Sequence, residues 1–272
     1  MFKWHRSRIN DLPLLTTATL LAKQARPEGE DRDAFTLDHL ATLFANARQY
    51  RASEPWKFWV TAATAMTGCR VEEICQINLR SDLRHDLSAD RWYFDLNEEP
   101  DADGVIRKSL KRKPSWRVVP IHSALVEAGF IAYLREQLAL GHTRPFEGGC
   151  KAWPDPKGAL KWSHGISKWG GRELANLDKA GTLNRAGMTL SYFHSMRHSF
   201  ANILARSGVP EEFRSALQGQ QFGGINSERY AKMRRDHSHL GSIIETHLGD
   251  LVSVFRAAKA PFALDAAGAD AG

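Results

Sequence analysis

The stretch FHSMRHSF, residues 193–200, carries the pattern on which the reading of this chain turns. Phe193, Met196, Phe200 and Ile203 recur at steps of three and four, the stripe that a helix buries, and Gly208 and Pro210 stop it. His194 and Arg197 share the edge of that stripe and can point at one ligand. His194 and His198 stand four apart, as in a zinc-binding helix. Ser195, however, occupies the place where such a motif needs glutamate, and no third ligand is evident, so no metal or other cofactor is expected.

Downstream, NSERYAKMRR (226–235) sets Tyr230 among Arg229, Lys232, Arg234 and Arg235. Such a tyrosine is either a DNA-facing nucleophile or an amphipathic anchor. Tyr93, Tyr133 and Tyr192 sit in apolar company that suits core packing, and Tyr50 has no chemical neighbours. Upstream, six of the eleven positions from Arg107 to Arg117 are basic: Arg107, Lys108, Lys111, Arg112, Lys113 and Arg117. The run falls between two expected strands, so it reads as a charged hairpin turn able to contact phosphates. Its bland alternative is a solvated charge run.

Further upstream still lies TGCRVEE (67–73). Gly68 ends one helix, and Arg70 then projects from the first turn of the next, beside backbone N–H groups that suit an anion. Glu73, three residues on, can hold the guanidinium in place. Taken alone, an Arg–Glu pair at that spacing is ordinarily a surface ion pair worth little.

Around these segments the periodicity is mainly helical. Thr36 caps a helix with the face Leu37, Leu40, Phe44 and Ala47, and Pro55 starts a second that runs to Thr67-Gly68. Later helices are expected over 123–138, 164–176, 193–207, 211–218, 226–235 and 238–256. Strand-like runs are Trp92-Tyr93-Phe94, Val105 to Leu110 and Arg117 to Ile121. The fold class is therefore α+β, mainly helical with a small three-stranded antiparallel sheet. Residues 1–34 read as a lead-in or the remnant of an N-terminal segment, 35–256 as the functional domain, and 257–272, rich in alanine and glycine, as a flexible tail.

The 272 residues, 43% apolar and 25% charged, suit a globular protein. A net charge of +6 with a pI near 9.3 favours a polyanionic partner without requiring one. Three cysteines with no CxxC pair argue against a disulfide framework or a structural zinc, and for a reducing cytoplasm. No apolar run is long enough to span a membrane. The basic start (Lys3, Arg6, Arg8) before Leu12–Leu21 is faintly like a signal peptide, but Asp11, Pro13 and the threonines spoil it.

In their order, these segments resemble the catalytic domain of the tyrosine recombinases, specifically the phage and genomic-island integrases. Thr67-Gly68-Cys69-Arg70 with Glu73 is similar to the family's first arginine box. KRKPSWRVVPIH (111–122) is similar to its β-hairpin lysine segment. His194 and Arg197 match its H-x-x-R box, and Tyr230 lies where the family has its nucleophile. The resemblance implies cleavage and rejoining of double-stranded DNA through a 3′-phosphotyrosine, by a homo-oligomer, a tetramer on DNA. Under it, Arg70 and Arg197 clamp the phosphate, Tyr230 attacks, His194 is base or hydrogen-bond partner, and Lys111 is the general acid, with Lys113 its possible substitute. Arg107, Lys108, Arg112, Lys113, Arg117, Lys232, Arg234 and Arg235 are expected to contact DNA. The sequence departs from the family where a histidine or tryptophan is usual: Leu217-Gln218-Gly219-Gln220 puts Gln220 there, able to donate a hydrogen bond but not to carry charge. Thirty-four leading residues are also too few for the helical domain that most members place first. Two rival readings are a type IB topoisomerase and a non-catalytic helix-turn-helix protein built on 193–218.

Overall fold

The computed structural model describes residues 32–101, 103–110, 115–154, 160–185, 187–222 and 227–259. The expected lead-in up to residue 31, the tail from residue 260, and Lys111, Arg112 and Lys113 lie outside the described residues.

Helix α1 (Leu37–Arg48) starts where Thr36 accepts a hydrogen bond from the His39 amide, and its Leu40, Leu43, Phe44 and Ala47 are buried. They pack on the last described helix, α11 (Gly249–Lys259), with the Phe44 and Phe255 rings meeting edge-on at 5.4 Å. Helix α2 (Pro55–Thr67) opens on its proline and is buried on all sides from Phe58 to Thr67, which makes it the central rod. It stops at Gly68, whose φ of +64° lets its amide return to the Thr64 carbonyl. The short α3 (Val71–Cys75) follows at once.

A three-stranded antiparallel sheet comes next, β1 (Leu83–Asp86), β2 (Arg91–Leu96) and β3 (Arg117–Pro120), in that order. Phe94 pairs with Leu83 on one side and Val119 on the other, and Leu96 faces Arg117. Phe94, Leu96, Val118 and Val119 are all buried. Helices α4 (Ser123–Glu127) and α5 (Phe130–Ala139) then lead to a two-stranded ribbon, β4 (Trp153–Pro154) with β5 (Leu160–Lys161). The remaining elements are α6 (His164–Lys179), α7 (Tyr192–Arg206), α8 (Glu211–Gln218), α9 (Ser227–Met233) and α10 (His237–His247). Helix α7 lies along α2, and α6 lies along α7.

The class is α+β as expected, but the sheet has other members. Val105–Leu110 is not a strand, and Leu83–Asp86 supplies the third strand instead. The apolar residues Val105 and Ile106 are exposed, so no hydrophobic face holds that segment in a ladder. It is tied down by polar anchors: Ser109 and Leu110 donate their amides to Gln76 and Glu98. Two expected helices are each divided. The 123–138 helix breaks around Gly129, and the 238–256 helix breaks at Leu248 and runs on to Lys259. Leu240, Ile244, Leu248, Leu251 and Phe255 are all buried, so the apolar stripe crosses the second break without a mark. Among the described residues no helix is long and apolar enough to cross a membrane.

Candidate active site: three arginines around one carboxylate

The site is built from the junction of α2 and α3. The left-handed turn at Gly68 brings the chain sharply round, and Arg70 becomes the residue that opens α3. Glu73 folds back onto it, accepting from the Arg70 amide at 2.9 Å and from its Nη1 at 2.7 Å. The same carboxylate accepts from Arg117 Nη2 at 2.9 Å and lies 3.9 Å from Arg197 Nη1. Three guanidiniums from three distant segments thus surround one buried acid, and positive charge is left in excess.

The backbone carbonyls of helix ends hold the two deeper arginines. Arg197 donates to Gly68 O at 2.7 Å and to Gln218 O at 2.6 Å, and Gln218 returns a bond to the Arg197 carbonyl. Arg117 donates to Leu217 O at 2.8 Å and to Ser115 O at 3.1 Å. Those acceptors at 217 and 218 are orphan carbonyls of the last turn of α8, where cations are favoured. Helix α8 therefore serves this cluster.

Burial alone would raise the Glu73 carboxyl, but Arg117, Arg197 and Arg70 override it and hold it at about 2. Desolvation pulls Arg197 below its ordinary value, against the attraction of Glu73. Because Glu73 sits below the usual 4.5, it stabilises the fold at pH values above 4.5, and that contribution fades as pH falls toward 2. The full loss is expected to be about 3 kcal/mol, read as acid-dependent denaturant midpoints. A midpoint that does not move through that window would show the carboxylate to be unpaired.

Gly68 is needed twice. Its φ disfavours a side chain, and a Cβ there would lie 2.3 Å from the Phe200 ring. Gly68→Ala is therefore expected to cost about 2–5 kcal/mol in urea denaturation, combining backbone strain with overpacking. A loss well under about 1 kcal/mol would mean that neither effect operates at this turn.

Arg70 is 30% exposed at its side chain and opens on a cavity of about 640 Å³ that His194, Arg197 and Ser191 also line. Partial burial, then the charges of His198, Arg197 and Arg70, push the His194 imidazole below its ordinary value, so it is neutral near neutral pH. Two further cations reach the same cavity, Arg32 and Arg185, and neither belongs to a sequence motif. Glu72 lines it too, but its oxygens are occupied by the amides of Trp162 and Ser163 and by the Ser163 hydroxyl.

The cavity thus gathers Arg70, His194 and Arg197, with Glu73 behind them. Tyr230 and Gln220 are not among the residues that line it. Tyr230 is buried on α9, its hydroxyl donates to the Gln220 carbonyl, and the Arg234 guanidinium lies 5.1 Å over its ring. Burial pushes its phenol up to about 12, despite Arg234 and Arg117 pulling the other way. Gln220 meets it through its backbone, while the Gln220 side chain is exposed.

Several residues expected to contact phosphate are engaged by the protein itself. Lys108 is buried, its Nζ 2.9 Å from Asp82 and 2.7 Å from Asn97, and Arg117 is wholly buried in the cluster. These two are corrections: acids distant in sequence draw both inward, and neither presents its charge to solvent. Arg107 is paired with Asp103 at 2.6 Å and Arg235 with Asp95 at 2.6 Å, both at the surface. Arg234 donates to the Trp116 carbonyl at 3.2 Å, and Lys232 is exposed on α9. Among the described residues no group of three His, Cys, Asp or Glu side chains is arranged to hold a metal ion.

No protein-family model matches the sequence, and no curated protein matches it. Solved structures that resemble this one are recombinases and integrases. XerA recombinase aligns with a TM-score of 0.45 at 17% identity, over 86% of this chain and 64% of that one. The Tn1549 transposon integrase in complex with transposon right-end DNA gives 0.47 at 14%, over 78% and 68%. A lambda integrase dimer bound to a core site gives 0.43 at 16%, over 81% and 65%. This chain therefore spans about half to two thirds of the length of the structures it matches.

Proposed function

We propose that the chain is a metal-independent DNA strand transferase, a site-specific recombinase that cuts and rejoins double-stranded DNA through a 3′-phosphotyrosine bond to Tyr230. The observation that supports this reading is the Glu73-centred cluster, which presents Arg70 and Arg197 to one cavity beside a neutral His194. A phosphodiester carries one negative charge and gains a second as phosphorus becomes five-coordinate. Guanidiniums already fixed by Glu73 and by helix-end carbonyls take up that charge without reorganising.

In the proposed reaction the Tyr230 hydroxyl exchanges the Gln220 carbonyl for the phosphorus, loses its proton and forms the ester. The 5′-oxygen departs with a proton that Lys111 is proposed to supply. His194, neutral and able to accept, is the partner for the tyrosyl proton. Attack by another 5′-hydroxyl reverses the ester and joins strands with no nucleotide cofactor. Lys232, Arg234, Arg235 and Arg107 remain candidate phosphate contacts at the surface, and assembly into a tetramer on DNA belongs to the same proposal.

The test is incubation of the full chain with nicked candidate-site duplexes in buffer containing EDTA, followed by denaturing electrophoresis for a protein–DNA adduct. Arg70→Ala is expected to slow adduct formation by roughly 100-fold or more, with little recovery in Arg70→Lys, because an ammonium lacks the planar fork. An Arg70→Ala protein that forms adduct at the parental rate would remove the phosphate clamp from the proposal.

A further inference from the structure

Helix α6 separates two cavities. Ser167, Gly171 and Leu174, at steps of four and three, line the arginine cavity. His164, Gly165, Trp169 and Arg172 belong to a second cavity of about 360 Å³, shared with Trp56 and Trp153. Trp169 is only 4% exposed and lines the cavity, and the backbone at Gly148 and Gly149 runs close against the Trp56 ring. A Cβ at either glycine would stand 2.7 Å from that ring, so the close approach that shapes the wall depends on their lacking one.

At the lip the β4 residue Trp153 is 58% exposed and stacks on His164, with ring centroids 5.3 Å apart and planes at 15°. A stacked indole–imidazole pair left open to water offers a flat face to another ring. The charges decide which ring. Lys57 is already held by Glu54 and lies 4.1 Å over Tyr50, whereas Lys151 and Arg172 are exposed at the rim with no acidic partner among the described residues. A cationic guest of the kind that aromatic cages take would be repelled by that rim. A neutral heteroaromatic ring carrying an anion is attracted by both features.

We infer that this cavity binds an unpaired nucleotide of a DNA strand, its base extending the Trp153–His164 stack and its phosphate against Lys151 and Arg172. Bases inside a duplex have no free faces, so the site discriminates for unpaired strand. The inference rests on the strand-transfer reading for its choice of a DNA strand and goes beyond it, because it uses none of the same residues.

The experiment measures binding of the full chain to a labelled short single-stranded oligodeoxyadenylate and to the same strand annealed to its complement, with deoxyadenosine monophosphate as competitor. Trp153→Ala is expected to weaken single-strand binding by about tenfold and to leave duplex binding unchanged. Replacing Arg172 by Gln is expected to lower single-strand affinity and its salt sensitivity together. Trp153 and Arg172 are both exposed, and glutamine suits a helix, so both variants are expected to fold. Parental single-strand affinity in Trp153→Ala, or equal losses on single strand and duplex, would overturn the inference. So would displacement of the strand by the mononucleotide at equal concentration, which would make this a free-nucleotide site. Adduct formation by Trp153→Ala at the parental level keeps this outcome separable from failure of the strand-transfer proposal.

Discussion

Replacement of Tyr230 by phenylalanine is expected to remove the covalent protein–DNA adduct, with a rate loss of several orders of magnitude, the scale on which loss of a nucleophile acts. Duplex affinity is expected to stay at the parental level, since the ring and its contact with Arg234 are retained. Stability is expected to fall by only about 1 kcal/mol, the worth of the hydrogen bond to the Gln220 carbonyl. The three readouts together separate chemistry from folding. Denaturing electrophoresis with nicked duplexes gives the first, fluorescence anisotropy the second and urea denaturation the third. Adduct in the Tyr230→Phe chain would mean that a different residue is the nucleophile. Loss of adduct accompanied by a collapse in stability would instead assign Tyr230 a packing role.

Glu73→Ala is expected to destabilise the chain by about 3–5 kcal/mol, because it leaves Arg117 buried beside other guanidiniums with no counter-charge. Arg117→Met introduced alongside it is expected to return much of that loss. Removing both members of a buried pair spares the desolvation of either, whereas removing one leaves the other stranded. If the double variant shows the full sum of the two single losses, the carboxylate and Arg117 act independently, and the cluster is not the unit described. The Glu73→Ala chain is also expected to lose the stability change between pH 4.5 and about 2, since that change belongs to this carboxyl. Adduct formation should fall with it, because Arg70 loses the oxygen that positions its guanidinium.

Local signals along the chain are enough to place the helical pieces and the near half of the site. Apolar steps of three and four, the Thr36 cap, the Pro55 start and the Gly68 stop are local signals, and α1, α2, α7 and α8 lie where those signals put them. Arg70 with Glu73 was legible because three residues along a helix is one turn, and His194 with Arg197 for the same reason. Charge is different. Whether Lys108 and Arg117 face solvent or a carboxylate depends on Asp82 and Glu73, which are 26 and 44 residues away. No periodicity records such a meeting. The same holds for β1, whose LRHD has no strand pattern of its own and becomes a strand by pairing with β2. It holds also for Arg32 and Arg185, drawn to the cavity from outside any motif, and for the aromatic cavity beyond α6. Tyr230 shows the division most plainly. Basic neighbours alone would lower its phenol pKa, yet burial of the ring costs the phenolate more than Arg234 and Arg117 return, and only the packing of α9 decides that balance.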